Sequence, residues 1–305
     1  MGHCLVTRRL PGPALGRLAS AHDVEVWPER LPPTPAELLG HAKNAEGLLT
    51  LLTDQVDAAL IDACPRLRAV SNYAVGVDNI DLDAATRRGI PVGNTPDVLT
   101  ETTADLTFTL MLAAARKLSE AIRAVGEGDW LTWEPAKYLG ADVHGGTLGI
   151  IGRGRIGRAV ARRAAGFEMR VLSVGREGDV GAMLREADFV SLHVPLTPET
   201  AKLIDANALK KMRPTAILIN TARGGIVDQA ALKEALEQGT IAGAALDVTD
   251  PEPLPQGDPL LEAPNLIVTP HIGSATHTAR EQMAELAVDN LLAGLEGRPM
   301  PHQAN

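Results

Sequence analysis

The sequence predicts an α/β protein built from two doubly wound, parallel-sheet domains. Three observations carry this. Short apolar runs alternate with helical stretches over the first hundred residues. The same alternation resumes at Thr147. The strand that opens this second run leads through a glycine-rich turn straight into a helix. Strands separated by crossover helices run parallel, and a parallel sheet needs helices on its faces.

In the first run, strands are expected at 4–7, 24–27, 47–51, 69–72 and 91–93, with helices or turns at 13–21, 34–42, 54–63 and 81–88. A single long helix is expected over 100–127, where Leu106, Leu110, Ala113, Ala114 and Leu118 recur at helical spacing. A loop rich in Trp and Pro follows. The second run has strand candidates at 147–151, 170–174, 189–192, 216–220, 243–246 and 266–268. The closing stretch 276–295 reads as a helix that could pack back on the first run.

Composition narrows the class. Of 305 residues, 45% are apolar and 22% charged, as in a soluble globular protein, and the length allows two ordinary cores. A net charge of −9 argues against broad nucleic-acid binding, which needs many cations on phosphates. Two cysteines, Cys4 and Cys64, make neither a disulfide framework nor a zinc pattern. The N-terminal segment lacks the apolar centre of a signal peptide, and no apolar run reaches membrane-spanning length. The expectation is a cytoplasmic protein that binds neither membrane nor nucleic acid.

Gly152, Gly154 and Gly157 stand in GxGxxG spacing. The spacing alone is weak, but here it follows an apolar strand and opens a helix at Arg155, the context a dinucleotide loop needs. Gly152 allows the turn, Gly154 lets backbone approach a pyrophosphate, and Gly157 lets helix and strand pack closely. The helix N-terminus, with Arg155 and Ile156, then faces the phosphates. NAD sites usually carry Asp or Glu at the end of the next strand. This strand instead ends in Gly175-Arg176, with Glu177 only afterwards. A guanidinium suits a 2′-phosphate, so NADPH is the expected cofactor, with NADH as the alternative.

Three further segments follow predicted strands. Arg223 lies in Asn220-Thr-Ala-Arg223-Gly-Gly, Glu252 in Asp247-Val-Thr-Asp-Pro-Glu252-Pro, and His271 in Thr269-Pro-His271-Ile-Gly-Ser274. In open α/β sheets, ligands bind beyond the carboxyl ends of the strands. Reduction of a 2-oxo acid needs a cation for the carboxylate and carbonyl, and a proton for the new alkoxide. Arg serves the first need. A His beside a carboxylate serves the second. Singly, each has a bland alternative: a surface ion pair, a solvated loop acid, a structural histidine. Their common position downstream of a dinucleotide loop favours the catalytic reading.

At this point the chain resembles the D-isomer-specific 2-hydroxyacid dehydrogenase family over essentially its whole length. The matching pieces are Asn72-Tyr-Ala-Val-Gly-Val-Asp-Asn-Ile-Asp81, the glycine loop, residues 193–200, 220–225 and 247–253, and Pro270-His-Ile-Gly-Ser-Ala275. Residues 95–104, 248–255, 271–277 and 290–295, with Gly175-Arg176, are most similar to the glyoxylate/hydroxypyruvate reductase branch. The resemblance implies a Rossmann cofactor domain over 98–277 and a flavodoxin-like substrate domain made of 1–97 and 278–305, with the active site in the cleft between them. It implies that His271 is the acid/base paired with Glu252. It implies that Arg223, the backbone at Val75 and Gly76, and Ser274 hold the substrate. It places Thr103, His193, Val194, Pro195, Thr200, Thr221, Ala222, Asp247 and Gly273, and His271 itself, beside the cofactor; for Pro195 and Asp247, loop geometry is an equal reading. It implies a homodimer through 100–127 and the following loop, where Trp130, Trp133 and Tyr138 gather in a chain only 3% aromatic.

Two rivals remain at this level. One is another dehydrogenase of the family. An end at Asn305 leaves no room for the regulatory domain of longer phosphoglycerate enzymes, and Glu252 replaces the Gln found in formate dehydrogenases, while D-lactate dehydrogenase stays open. The other is a nucleotide-sensing corepressor that kept the fold and the Arg/Glu/His set.

Overall fold

The computed structural model describes residues 2–305, which divide into two units: residues up to Leu99 with Ala275–Asn305, and Thr100–Ser274. The first crossing falls two residues later than the sequence expectation because Val98 and Leu99 pack on the core of the first unit. The second falls three residues earlier. There Thr276 already caps the final helix, its hydroxyl accepting from Ala279 N–H at 3.2 Å.

In the first unit, strands β1 (His3–Val6), β2 (Asp23–Val26), β3 (Gly47–Thr50), β4 (Ala69–Asn72) and β5 (Val92–Gly93) pair in parallel in the order β2-β1-β3-β4-β5. This is the flavodoxin-like order, with its reversal between β1 and β3. Helices α1 (Ala14–Ala21), α2 (Pro35–Ala42), α3 (Ala58–Ala63) and α4 (Leu82–Arg87) connect them. Strands buried on both faces read as continuous apolar runs, and successive side chains enter opposite cores. Leu5, Leu48 and Val70 face a core with Leu38, Ile61 and Ala85. Their neighbours Val6, Leu49 and Ala69 face another, formed with Met283, Ala287 and Leu291 of the C-terminal helix His277–Leu295. That helix approaches closely where it carries glycine: a Cβ on Gly294 would lie 2.8 Å from the Ala69 Cβ.

The second unit opens with a departure from the sequence reading. The stretch 100–127 is not one helix but two, α5 (Thr100–Ala115) and α6 (Leu118–Gly126). Lys117 between them is left-handed, with φ +50°. The Ala115 carbonyl is taken by Ala141 N–H at 2.9 Å, and Gly140 sits so close that a Cβ there would fall 2.1 Å from the same oxygen. Lys117 gives no local breaking signal; a strand of chain distant in sequence makes the break.

Six parallel strands follow: β6 (Thr147–Ile151), β7 (Arg170–Val174), β8 (Phe189–Leu192), β9 (Ile217–Asn220), β10 (Gly243–Leu246) and β11 (Leu266–Val268). Their order is β7-β6-β8-β9-β10-β11, with helices on both faces, a Rossmann-type fold. Helix α7 (Arg155–Ala165) follows β6, α8 (Val180–Glu186) follows β7, α9 (Ala206–Lys211) follows β8, and α10 (Gln229–Glu237) follows β9. The order reverses between β6 and β8, so the loops after these strands flank the crevice where such sheets take ligands. Among the described residues, no helix is long and apolar enough to cross a membrane, and no group of three His, Cys, Asp or Glu side chains could hold a metal ion.

Candidate active site

The glycine loop lies at the switch point. Gly152 has φ +110°, a conformation that side chains rarely adopt, and a Cβ there would lie 2.3 Å from the His193 carbonyl oxygen. The loops after β6 and β8 therefore touch. Gly157 must be glycine because a Cβ would meet the Gly152 oxygen at 2.1 Å. Gly154 is different. Its φ of −68° suits any residue, and nothing in the chain lies within 4 Å of a Cβ built there. Neither packing nor backbone conformation calls for glycine at 154, whereas a pyrophosphate lying on the helix N-terminus would. The residues present thus fit a dinucleotide.

Around this loop the remaining cofactor candidates are firmly placed. The Thr200 hydroxyl donates to the Pro195 carbonyl at 2.6 Å and accepts from Thr197 N–H at 2.8 Å, fixing the loop after β8. The His193 ring bonds Ser191 Oγ at 2.8 Å, and burial pushes its pKa down to about 4, so it stays neutral at physiological pH. Arg153 donates to the Ser173 carbonyl at 2.5 and 3.2 Å, with its side chain against Gly175. Arg176 is exposed at the same strand end. The Thr197 hydroxyl, chiefly, and Arg176 at longer range hold the Glu199 carboxyl below its usual range. The acid that follows Glu177, Asp179, is committed elsewhere: it caps α8 by accepting from Ala182 N–H at 2.9 Å.

The three chemical residues sit on loops after adjacent strands β9, β10 and β11. Asn220, fully buried at the end of β9, shapes the first loop. Its Oδ1 accepts from Ala222 N–H at 3.0 Å and its Nδ2 donates to the Arg223 carbonyl at 2.8 Å. Arg223 Nη1 donates to the Ala222 carbonyl at 2.8 Å. A Cβ on Gly224 would fall 2.0 Å from the Thr249 carbonyl, so this loop lies tightly on the one after β10. That second loop carries Glu252, whose Oε1 bonds His271 Nδ1 at 2.5 Å.

His271 is left-handed, with φ +54°, an unusual state for a non-glycine residue and one that needs outside support. The support is Asp247, 1% exposed. Its carboxylate accepts from Thr269 Oγ1 at 2.6 Å, Ile272 N–H at 2.8 Å and Gly273 N–H at 2.8 Å, and its carbonyl accepts from His271 N–H at 2.9 Å. Thr103 adds a bond from its hydroxyl to the Gly273 carbonyl at 3.2 Å, while Thr107 links to Thr221 at 3.0 Å. Asp247 and Thr103, read from the sequence as cofactor neighbours, thus hold the histidine loop. The sequence reading missed Asn220 as a shaping residue, although its spacing to Ala222 is that of an Asx-turn. In the first unit, Val75 and Gly76 lie in the loop just beyond β4, Val75 exposed and Gly76 half-buried.

Nδ1 of His271 faces a carboxylate, so Nε2 is the nitrogen available to a substrate oxygen. A base held by an acid, an arginine on the neighbouring loop and a dinucleotide cradle on the same sheet make a site for hydride transfer coupled to proton transfer.

Comparison with known proteins agrees. Residues 108–273 match the model of the D-isomer specific 2-hydroxyacid dehydrogenase, NAD binding domain. A glyoxylate reductase of Korarchaeum cryptofilum is 49% identical, covering 98% of this chain and 95% of its own. A Thermus thermophilus protein of solved structure is 50% identical with a TM-score of 0.94, covering 99% and 100% of the two chains. An NADPH-dependent glyoxylate/hydroxypyruvate reductase of Sinorhizobium meliloti, solved with NADP and malonate, is 34% identical with a TM-score of 0.85 over 99% and 96%.

Proposed function

The chain belongs to the D-isomer specific 2-hydroxyacid dehydrogenase family, and from that premise we propose that it reduces glyoxylate to glycolate, and hydroxypyruvate to D-glycerate, with NADPH as preferred cofactor. The observation that carries the reading is the 2.5 Å bond between Glu252 and a His271 held in a strained conformation. A nicotinamide, when bound on the glycine loop, would supply the hydride. In the second unit Arg223 is assigned the substrate carboxylate and carbonyl; in the first, the backbone N–H groups of Val75 and Gly76 are assigned the carboxylate. As negative charge develops on the carbonyl oxygen, His271 gives it the Nε2 proton, and Glu252 stabilises the imidazolium before that transfer. Electron pair and proton both end on the substrate, giving the 2-hydroxy acid. Ser274 is assigned to the substrate side of the histidine loop. Steady-state assays with glyoxylate, hydroxypyruvate, D-lactate and 3-phosphoglycerate test the assignment; turnover confined to either of the last two would replace it.

Arg176 supports NADPH. Asp179 is used as a helix cap and so is not set to receive a ribose 2′-OH. We expect kcat/KM for NADPH to exceed that for NADH by about tenfold or more, and Arg176→Ala to remove most of the difference, as loss of a charge-assisted pair predicts. A wild-type preference for NADH would overturn this.

A homodimer is part of the same reading. Leu118, Ile122 and Val125 lie exposed along one face of α6, and Trp130, Leu131, Trp133 and Leu139 are 65–87% exposed in the loop that follows. Exposed large apolar side chains on a helix and the loop that follows it favour a covering partner. Sedimentation velocity should give twice 32.2 kDa; a monomer at micromolar concentration would refute it. Both cysteines are buried and unbridged, which suits the cytoplasm, and cell fractionation tests that placement.

A further inference from the structure

Of two stretches that the sequence singled out, 72–81 and 290–295, only the backbone of Val75 and Gly76 has a part in the chemistry described so far. The asparagines of both stretches, with Asn94, converge on one turn of the first unit. Asn72, fully buried at the end of β4, donates from Nδ2 to the Gly76 carbonyl at 2.9 Å and to Asn79 Oδ1 at 3.0 Å. Its Oδ1 accepts from Thr50 Oγ1 at 3.0 Å. Asn79 in turn donates to the carbonyls of Leu51 at 3.0 Å and Asp54 at 2.9 Å. From the other side, Asn94 Nδ2 donates to the Val75 carbonyl at 2.7 Å.

Asn94 is itself braced by the C-terminal segment. Its carbonyl accepts from Asn290 Nδ2 at 2.8 Å, its N–H donates to the His302 carbonyl at 3.1 Å, and Asn290 Oδ1 accepts from His302 N–H at 2.9 Å. Asn290 is fully buried, and Gly93 packs so tightly on it that a Cβ would fall 2.6 Å from the Asn290 Cβ.

Two successive carbonyls, Val75 and Gly76, are thus each gripped by a side-chain amide. In a trans peptide the C=O and the N–H of the next residue point in opposite directions across one rigid plane. The hold of Asn94 on the Val75 carbonyl therefore turns the Gly76 N–H away from Asn94. The hold of Asn72 on the Gly76 carbonyl does the same for the Val77 N–H. We propose that Asn94 is a positioning residue for the substrate carboxylate: its hold on the Val75 carbonyl aims the Gly76 N–H, Asn72 locks the peptide plane that follows, and Asn290 with the C-terminal segment is the brace. The inference rests on the assignment of the carboxylate to that turn. Donors fixed in advance need no reorganisation when the anion arrives, whereas a freely rotating peptide plane would have to be ordered on binding.

The test uses the whole protein with glyoxylate as substrate and oxalate as a non-reducible probe. Because the carboxylate is held equally before and during hydride transfer, Asn94→Ala is expected to raise KM for glyoxylate and Kd for oxalate by about ten- to thirtyfold, with kcat within about threefold. Cofactor Kd and Tm should stay near wild type. Asn94→Ser, which cannot span to the Val75 oxygen, should behave alike and serves if the alanine variant folds poorly. With selective ¹⁵N-glycine labelling, the wild-type Gly76 amide resonance should move on adding oxalate, and move less at the same oxalate concentration in the variants. Unchanged oxalate affinity in both variants, a loss confined to kcat, or a wild-type Gly76 resonance indifferent to oxalate would overturn the role of Asn94. Oxalate binding at Gly76 in a protein that turns over neither glyoxylate nor hydroxypyruvate would sink the substrate assignment and leave that role standing.

Discussion

His271→Ala is expected to lower kcat with glyoxylate by about 10²–10⁴-fold, while the Kd of the reduced cofactor changes by less than about twofold. The size follows from what is lost. Without an acid beside the carbonyl oxygen, the alkoxide must form before water can protonate it, and the barrier rises. Glu252 keeps its exposure to solvent when its partner is removed, since both side chains are only partly buried at 30% and 24% exposure, so no charge is stranded in the interior. The left-handed backbone at position 271 is costly for alanine as well, by about 1 kcal/mol. His271→Asn is therefore the better control: Asn tolerates this conformation, retains a polar side chain and cannot deliver a proton. Both variants should be comparably slow in single-turnover experiments. Near-normal turnover in either one would remove His271 from the chemistry, and a fast Asn variant beside a slow Ala variant would show that only the loop conformation mattered.

Arg223→Lys should cost about 10²–10³-fold in kcat/KM, almost as much as Arg223→Ala. A lysine keeps the charge but not the planar pair of donors that can take a carboxylate and a carbonyl at once. Loss of the carboxylate contact raises KM, because that contact is made in ground and transition state alike; loss of the carbonyl contact lowers kcat, because charge grows there only as hydride arrives. Both parameters should therefore worsen in both variants. A rise in KM with unchanged kcat would confine Arg223 to binding. A lysine variant close to wild type would show that charge alone suffices. Guanidinium ion should restore part of the Arg223→Ala loss and none of the His271→Ala loss.

These expectations differ in how far the chain alone supports them. The residues of the reacting set were legible because their chemistry is carried by residue type and by position after a strand: Arg223, Glu252 and His271 each lie in a loop that follows a strand. The glycine loop was legible for a similar reason, since GxGxxG between an apolar strand and a helix is a local pattern. The strand positions were legible too, because a parallel strand covered on both faces is a short apolar run with turn residues at its ends.

Where the reading fell short, the cause lay in contacts between segments far apart in the chain. Nothing near Lys117 announces the end of a helix; the Ala115 carbonyl is claimed by Ala141. For Asp247 the family resemblance implies a place beside the cofactor, with loop geometry an equal reading, and the sequence offers no way to name the loop partners. The two carboxylate oxygens are in fact occupied by Thr269, Ile272 and Gly273, more than twenty residues on. Asn94 had no visible role because its partners lie at Val75, Asn290 and His302.

The feature shared by the site is thus of two kinds. Residue type and local pattern specify which chemistry is available: a cradle for a dinucleotide, a histidine, a carboxylate and an arginine, all beyond the carboxyl ends of parallel strands. Which of these groups meet, and in what pose, follows from packing: Glu252 pairs with Nδ1 of His271, Asp247 closes the histidine loop, and two peptide planes are fixed at Val75 and Gly76. The physical reason is that hydrophobic period and turn propensity are properties of neighbours in the chain. A hydrogen bond that closes one loop on another depends on register and packing, and these exist only once the sheets have formed.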